Sequence, residues 1–520
     1  MPHYAPISPA AYLRSRVGRV CVALRGNTVP ELISRAEATL SETQFLEFRL
    51  DSLPDPAAAV HQIGDFLSEH KDVVAIATCR RKAYGGSFNG SLAEEIAILT
   101  AAADAGFGLV DIEIESAEEC LTSQFESLRE TDAAILISFH DFAHAADPEM
   151  AFARIQRFEP DFVKIVTTAH SLSDSLNLLK WIMERSGDAQ IVGIAMGEAG
   201  IVSRVLSLRA GSTFTFASAP DGAETAPGQM TARTLKDLYR IEQIDQATRI
   251  YGVAGNPISH SLSPLMQNSA FRRERINAVY LPLKTETVAD LFNLARQLPL
   301  SGISVTMPLK QQVISHLANV DPLTSKLGAC NTIRTGVDGK LYGFNTDVAG
   351  IVRPLEKRLG LKGARVIVLG AGGAARAAVY GLVDKGAQVS VWSRKEASAR
   401  ELAASAGARA VSRQQLAASE FDVLINATPC GMHGNSHPRP LETEEWRARL
   451  VFDLVYNPLD TPLLQDARAR GIATIQGVEM FVHQGARQFE LWTGKPAPEA
   501  EMLRVVLFAL HKAHGTGTGH

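Results

Sequence analysis

Eight short apolar runs recur between residues 20 and 218: VCVAL (20–24), FLEFRLD (45–51), VVAIATC (73–79), LVDIEIE (109–115), AAILISF (133–139), FVKIVTT (162–168), IVGIAM (191–196) and TFTFAS (213–218). Between them, stretches such as PELISRAEATL, SLAEEIAILTAAADAG and SLSDSLNLLKWIMERSG carry apolar residues at helical spacing and stop at Gly or polar residues. Near-continuous apolar strands are what burial on both faces of a parallel sheet requires. Eight strand–helix units in about 230 residues match the count and length of a (β/α)8 TIM barrel, whose active site lies at the C-terminal strand ends. An open doubly wound sheet would need fewer strands and a Gly-rich first turn, and this half has neither. A barrel is therefore expected over 17–245, after an N-terminal tail at 1–16.

A charged segment, TARTLKDLYRIEQIDQATR (231–249), is expected to be mostly helical and to complete the barrel, with the boundary at 245–249. Residues 249–350 then alternate strand and helix. A stronger series follows within a lobe at 351–476: ARVIVLG, QVSVWS, DVLINA, LVFDLV and ATIQG. Two last helices, EMFVHQGARQFELWTG and MLRVVLFALHKA within 477–512, are expected to complete the 249–350 lobe, leaving a flexible tail at 513–520. The 40 glycines and 24 prolines among 520 residues exclude collagen-like, low-complexity and disordered chains. With 52 basic against 56 acidic side chains no global field attracts nucleic acid or anionic membrane, so anion binding must be local. Five well-separated cysteines without a Cys-x-x-Cys pair fit reduced thiols rather than a disulfide framework or a zinc site. The start, MPHYAPISPAAYLRSR, lacks an apolar signal core, and no run of 18 apolar residues occurs, so a cytoplasmic chain without nucleic-acid or membrane partners is expected. The oligomeric state is left open.

After the strand VIVLG comes Gly370-Ala371-Gly372-Gly373-Ala374-Ala375-Arg376 and then a helical pattern, the context a Rossmann dinucleotide fingerprint requires. Gly370 allows the tight turn, Gly372 lets backbone approach a pyrophosphate, and Ala375 lets helix and strand pack closely. The bland alternative is a Gly-rich turn. At the end of the next strand a carboxylate would select NAD, whereas Ser393, Arg394 and Lys395 suit the 2′-phosphate of NADP, or else form a solvated basic turn.

In the barrel, Glu47, Arg49 and Asp51 alternate onto one face of a strand; Arg80, His140 and Asp141 sit at strand ends, and Arg204 starts a helix. Lys164, inside the apolar strand FVKIV, stands out. A buried unpaired ammonium is costly, so its pKa is expected to fall toward a nucleophilic amine; the alternative is a structural lysine paired with Glu47 or Asp51.

NPISHSLSP (256–264), SVTMPLK (304–310), GACNTI (328–333), GFNTDV (343–348), GAGGAAR, NATPCGM (426–432), DLVYNPLDTPLL (453–464) and GVEMFVHQ (477–484) together resemble shikimate dehydrogenase over about 250–512. The resemblance implies that Ser261 and Ser263 bind the substrate carboxylate, that Thr306, Asn331 and Gln484 bind its hydroxyls, that Tyr456 lines the cleft, and that Lys310 and Asp347 are the catalytic pair. Asn426, Thr428 and Gly477 would join the fingerprint in holding NADP. Alone, Ser261 and Ser263 read as turn or cap groups, Lys310 as a solvated lysine and Asp347 as a helix cap; only their joint arrangement reverses that.

EFRLD, TCR, FHDF, FVKI, GIVSRVLSLRAGSTFTFA and APGQ resemble a type I 3-dehydroquinate dehydratase over about 17–240. The resemblance implies an imine at Lys164, His140 as general acid and base with Glu47 orienting it, Arg204 and Gln229 on the substrate carboxylate and nearby hydroxyls, and Arg49 and Arg80 lining the site. Two positions depart from that family: Tyr84 stands where a Glu is common four residues after Arg80, and Thr225 where a Ser is common four before Gln229. The first bears on lid contacts and substrate affinity; the second keeps its hydroxyl. Together the halves resemble the plant-type fused enzyme, converting 3-dehydroquinate to 3-dehydroshikimate and then, with NADPH, to shikimate, with no metal. A quinate dehydrogenase and a non-catalytic NADP-binding regulator are the rival readings. Intact Ser261 and Thr306 favour shikimate, and the retained Lys164, His140, Lys310 and Asp347 favour catalysis.

Overall fold

Eight parallel strands, β1 (Val20–Leu24), β2 (Phe45–Arg49), β3 (Val74–Thr78), β4 (Leu109–Glu113), β5 (Ala134–His140), β6 (Phe162–Thr168), β7 (Ile191–Met196) and β8 (Thr215–Ser218), lie in the order β8-β1-β2-β3-β4-β5-β6-β7. The structure, a computed structural model, describes residues 18–222, 225, 228–259 and 261–515. The seam between β7 and β8 is bridged where the Thr213 N–H donates to the Ile191 carbonyl at 2.7 Å and the Gly193 N–H to Ser212 Oγ at 3.1 Å. The interior is apolar at one end. Phe45 and Phe162 meet Phe214 edge-on, with ring centroids 4.9 and 5.8 Å apart, over Leu136, Val74 and Ile76. That packing sets a dry floor, and charged side chains occupy the C-terminal strand ends above it. The outer helices begin where the sequence supplies caps: Ser91 with Glu94, and Ser171 with Asp174, form capping boxes.

The segment 231–249 is not the regular helix expected. A π-helical stretch Thr234–Tyr239 gives way to a single turn Ile241–Gln243, with Arg240 left-handed at φ 54° between them. Leu235, Tyr239 and Ile241 are all buried, a spacing of four and then two that one helical face cannot serve, so the chain bends.

The chain divides into two compact units at Thr248/Arg249, with Pro282–Thr285 and Ala289–Leu298 grouped with the first. In the second unit, β9 (Arg249–Gly255), β10 (Ala278–Lys284), β11 (Leu300–Val305), β12 (Asn319–Val320), β13 (Thr332–Thr335) and β14 (Leu341–Phe344) form a mixed sheet, β10-β9-β11-β13-β14-β12, with β13 antiparallel to both neighbours. Helices Gly477–Thr493 and Glu499–Gly515 bury Phe489, Trp492 and Val506 in one core with Tyr251, Phe271 and Tyr280. The last helix runs to Gly515, past the expected start of a tail at 513. The rest of that tail and the N-terminal one at 1–16 lie outside the described residues.

The third sheet is wholly parallel: β15 (Arg365–Leu369), β16 (Gln388–Trp392), β17 (Arg409–Ala410), β18 (Phe421–Asn426), β19 (Ala448–Asp453) and β20 (Ala473–Ile475), in the order β17-β16-β15-β18-β19-β20. Counted from its first strand this is 3-2-1-4-5-6, the doubly wound Rossmann order, whose crevice opens where the strand order reverses, between β15 and β18.

Candidate active sites

At the C-terminal end of the barrel, Lys164 Nζ lies 2.9 Å from Asp111 Oδ2 and 3.3 Å from Glu47 Oε1, and 4.2 Å from the centre of the Phe216 ring. Burial pulls its pKa down, but the Asp111 and Glu47 carboxylates outweigh it and hold the ammonium above its ordinary value. The expected fall is thus corrected. The expectation of an unpaired lysine missed that β4, facing the same interior, carries two carboxylates. Nor is Asp51 its partner: Asp51 grips Arg49 through two 2.8 Å hydrogen bonds and accepts the Ser87 N–H at 3.0 Å.

His140 Nδ1 lies 2.9 Å from Glu113 Oε1. Glu113 Oε2 in turn meets Arg80 Nε at 2.9 Å and accepts from Ser138 Oγ at 2.9 Å. Burial, then the Arg80 and Lys164 charges, hold His140 well below the usual imidazole range, and burial pushes the Glu113 carboxyl up to about 7. A neutral imidazole whose Nδ1–H is held by a carboxylate presents a free Nε2 lone pair. The expected Glu47–His140 partnership is therefore corrected: Glu47 accepts from Thr78 Oγ1 at 2.9 Å and faces Lys164, because β2 and β5 are separated by two strands while β4 adjoins β5. Asp111 and Glu113 are functional candidates the sequence reading missed, although LVDIEIE places them two apart in an apolar strand, the signal that singled out Glu47 and Arg49.

The cavity here holds about 80 Å³ and is lined by Lys164, His140, Arg49, Arg80, Arg204, Thr225 and Gln229, together with Arg25 and Phe142, which sequence reasoning did not single out. Gln229 Oε1 accepts from Thr225 N–H at 2.8 Å and Oγ1 at 3.0 Å. Phe142 stacks on His140 at 5.7 Å and presses on Gly85, where a Cβ would come within 2.3 Å of its ring. Tyr84 directs its hydroxyl to Glu119, and the Arg81 guanidinium lies 4.9 Å above its ring.

In the second unit, Lys310 Nζ donates to Asp347 Oδ2 at 2.7 Å, and Asn331 Nδ2 donates to Asp347 Oδ1 at 2.8 Å. Asp347 opens helix Asp347–Glu356, and Gly350 lets that helix approach the one bearing Gln484: a Cβ there would lie 2.7 Å from the Met480 carbonyl. Gln484 Nε2 donates to the Phe481 carbonyl at 2.9 Å, and Tyr456 stacks on Phe481 at 5.1 Å. The Ser263 N–H donates to Ser261 Oγ at 3.3 Å, and the Thr306 N–H to the Ala254 carbonyl at 2.9 Å.

At the β15–helix turn Gly370 has φ 116°, and a Cβ there would lie 2.9 Å from the Ala427 carbonyl. Gly372 caps helix Gly373–Asp384, whose second residue is Ala374, and nothing lies within 4 Å of a Cβ built on Gly372 or Gly373. That open space belongs to a cavity of about 600 Å³ lined by Gly370, Ala371, Gly372, Ser393, Arg394, Lys395 and Thr428. Glycine backbone, a helix N-terminus and two exposed cations fit a phosphorylated dinucleotide. Two expected cofactor contacts, Asn426 and Gly477, do not line this cavity. Asn426 is fully buried and donates to Asp453 Oδ1 at 2.9 Å while accepting from Thr428 Oγ1 at 2.7 Å, so it shapes the loop beneath the cavity. Gly477 packs where a Cβ would lie 2.3 Å from the Val455 carbonyl, which makes it a close-approach residue.

Residues 20–246 match the family described as type I 3-dehydroquinase, 253–333 the shikimate dehydrogenase substrate binding domain, and 477–507 the shikimate 5'-dehydrogenase C-terminal domain. Residues 365–455 match the family described as NADP oxidoreductase, coenzyme F420-dependent. The chain is 32% identical over 505 residues, 92% of its length and 83% of the relative's, to a protein of Arabidopsis thaliana named bifunctional 3-dehydroquinate dehydratase/shikimate dehydrogenase, chloroplastic. A shikimate dehydrogenase (NADP(+)) of Methanosarcina acetivorans is 38% identical over 276 residues, covering 50% of this chain and 99% of that protein. A crystal structure of the Thermus thermophilus shikimate 5-dehydrogenase with NADP(H) and shikimate has a TM-score of 0.47 and 35% identity, covering 51% of this chain and all of that one.

Proposed function

The chain belongs to the bifunctional 3-dehydroquinate dehydratase/shikimate dehydrogenase family and uses NADP, and from that premise we propose how its own residues divide the two reactions. Residues 17–245 act as the dehydratase, 249–350 with 477–512 bind the substrate of the reduction, and 351–476 bind the cofactor.

In the barrel, Lys164 waits as an ammonium and passes a proton to Asp111, the nearer of its carboxylates. The freed amine attacks the substrate ketone, forming the C–N bond. The carbonyl oxygen leaves as water, taking one proton from the amine nitrogen and the one returned by Asp111, and gives a protonated imine that withdraws electrons from the adjacent carbon. His140 Nε2 removes a proton from that carbon and delivers it to the departing hydroxyl, so that a second water is lost and the ring gains its double bond; water then adds back to the imine carbon, releasing the product ketone and restoring the Lys164 amine. Glu113, held by Arg80 and Ser138, orients the imidazole. Arg204, Thr225 and Gln229 hold the substrate carboxylate, with Arg49, Arg80 and Arg25 about the ring hydroxyls. The pair of contacts at Lys164 and His140, each about hydrogen-bond length from an inward carboxylate, carries this reading.

For the reduction, bound NADPH supplies the hydride. Lys310 donates a proton to the carbonyl oxygen as alkoxide charge develops, and Asp347 aims the lysine. Ser261 and Ser263 take the carboxylate end, Thr306, Asn331 and Gln484 the hydroxyls, and Tyr456 closes one wall. Arg394, with Ser393 and Lys395, takes the 2′-phosphate. Ser261 and Thr306 favour shikimate over quinate, a preference that would show as the higher kcat/KM for shikimate with NADP. All five cysteines are unpaired, which supports a cytoplasmic location; among the described residues no helix is long and apolar enough to cross a membrane.

Two measurements test this reading. Borohydride added with dehydroquinate should fix covalent mass on Lys164 of the native chain and none on Lys164→Ala; an unmodified native protein would sink the imine. Dehydroquinate plus NADPH should give NADPH oxidation by the intact chain and none by Lys310→Ala.

A further inference from the structure

Behind the Lys310–Asp347 pair runs a line of buried polar side chains, of which Tyr280, Ser304, Gln488 and Thr332 have no part in either reaction step. Tyr280 Oη donates to Ser304 Oγ at 2.6 Å, and Ser304 Oγ donates to Gln488 Oε1 at 2.9 Å. Gln488 Nε2 donates to Thr332 Oγ1 at 3.1 Å and to the Asn331 carbonyl at 3.3 Å. Thr332 Oγ1 donates to Asn331 Oδ1 at 2.8 Å, and Asn331 reaches Asp347. At the other end the Tyr280 hydroxyl also bonds the Ser263 side chain. Tyr280 and Thr332 are wholly buried, and Ser304, Gln488 and Asn331 are nearly so.

The direction of this line follows from counting protons. Each hydroxyl has one proton to give. Gln488 Oε1 accepts only, so the Ser304 proton points to it, and Ser304 must then accept from Tyr280. Tyr280, having given its proton, can only accept from Ser263. On the far side the Gln488 amide gives to Thr332, whose proton goes to Asn331 Oδ1, which also accepts the Thr346 N–H at 2.8 Å. The Asn331 amide then gives one hydrogen to Thr346 Oγ1 at 3.1 Å and the other to Asp347 Oδ1, leaving Asp347 Oδ2 for Lys310. In low dielectric, bonds aligned in one sense reinforce one another, and a broken link leaves a costly unpaired group.

We propose that Tyr280, Ser304 and Gln488 are positioning residues for the reduction: a one-way buried hydrogen-bond chain that ties Ser263, at the carboxylate end of the substrate site, to the Asn331–Asp347–Lys310 group at the reacting end. It rests on the assignment of Ser263 and Lys310 made above. Substrate carboxylate that draws the Ser263 proton away from Tyr280 leaves the phenol oxygen one donor short, so occupancy at one end is felt along the line at the other.

The test is a double-mutant cycle on shikimate oxidation with NADP. Tyr280→Phe and Thr332→Val each delete one hydroxyl near opposite ends and share no direct bond. Each should lower kcat/KM about tenfold, with a fall in kcat as well as a rise in KM. If the line acts as a unit, the double variant is no worse than the weaker single, whereas independent packing defects would multiply to about a hundredfold. Multiplicative losses, or changes in KM alone, would overturn the proposal. NADP affinity should stay unchanged in each variant; a variant that loses it is replaced by Ser304→Ala, for which the same non-additivity with Thr332→Val is required. A wild-type chain that fails to oxidise shikimate would instead remove the underlying assignment.

Discussion

Glu113 decides which state His140 is in. Its carboxylate holds the Nδ1–H most strongly when ionised, and burial places its titration at about 7. As pH falls through that value the dehydratase kcat/KM should fall, although His140 itself stays neutral there. Glu113→Gln should lower dehydratase kcat on the order of a hundredfold and flatten that limb of the pH profile, read by initial rates from pH 5.5 to 8.5. Lys164 was legible because a cation in an apolar strand has few structural uses; a strand-end His140 alone reads as structural, and the in-strand lysine beside it is what made it stand out. Their partners were not. Alternation shows which side chains enter the barrel, but which carboxylate meets which cation depends on strand adjacency and stagger, and those exist only once the sheet closes.

At the level of elements, helix Leu92–Asp104 inserts Glu95 beside Arg81 at 3.1 Å and Ser116 Oγ at 2.8 Å, and burial pushes its carboxyl up to about 7. An unfolded glutamate titrates near its ordinary value, about 4.3, so the folded chain binds the extra proton. Its contribution is present below that value and lost as pH rises through about 7. Melting temperature should therefore fall from pH 5 to 8, and Glu95→Gln should reduce that fall while leaving the share due to Glu113. The turn after β15 obeys a steric rule instead. Gly370→Ala meets both a positive φ and the Ala427 carbonyl, and should weaken NADP binding at least about tenfold by titration calorimetry, from strain of about 1–3 kcal/mol. Strands buried on both faces and the glycine turn were visible as runs and spacings. The bend at Arg240 was not, because a charged stretch with good helical propensity was overruled by three side chains claiming burial on two sides. The two-residue β17 was too short to leave a pattern.

Taken whole, the chain is two enzymes whose main boundary, at Thr248/Arg249, is marked only weakly in the sequence, since the segment before it resembles any charged surface element. The apolar cluster inside the barrel runs from Cys21 to Phe216, and two clusters of the dehydrogenase lobes run from Leu327 to Ile475 and from Tyr251 to Leu510. A chain ending after Ile475 should keep dehydratase activity and lose NADP-dependent shikimate oxidation, as two separate assays would show.

The return of helices Gly477–Thr493 and Glu499–Gly515 to the core of β9 and β10 sets an order of events during synthesis. A nascent chain can close the barrel as soon as β8 emerges, and can assemble the sheet from β15 to β20 next, each from contiguous sequence. The lobe that begins at Arg249 must wait for more than two hundred further residues before Phe489 and Trp492 reach Tyr251 and Phe271. Its apolar face is the last to be covered on the ribosome, and there a chaperone has the longest time to act.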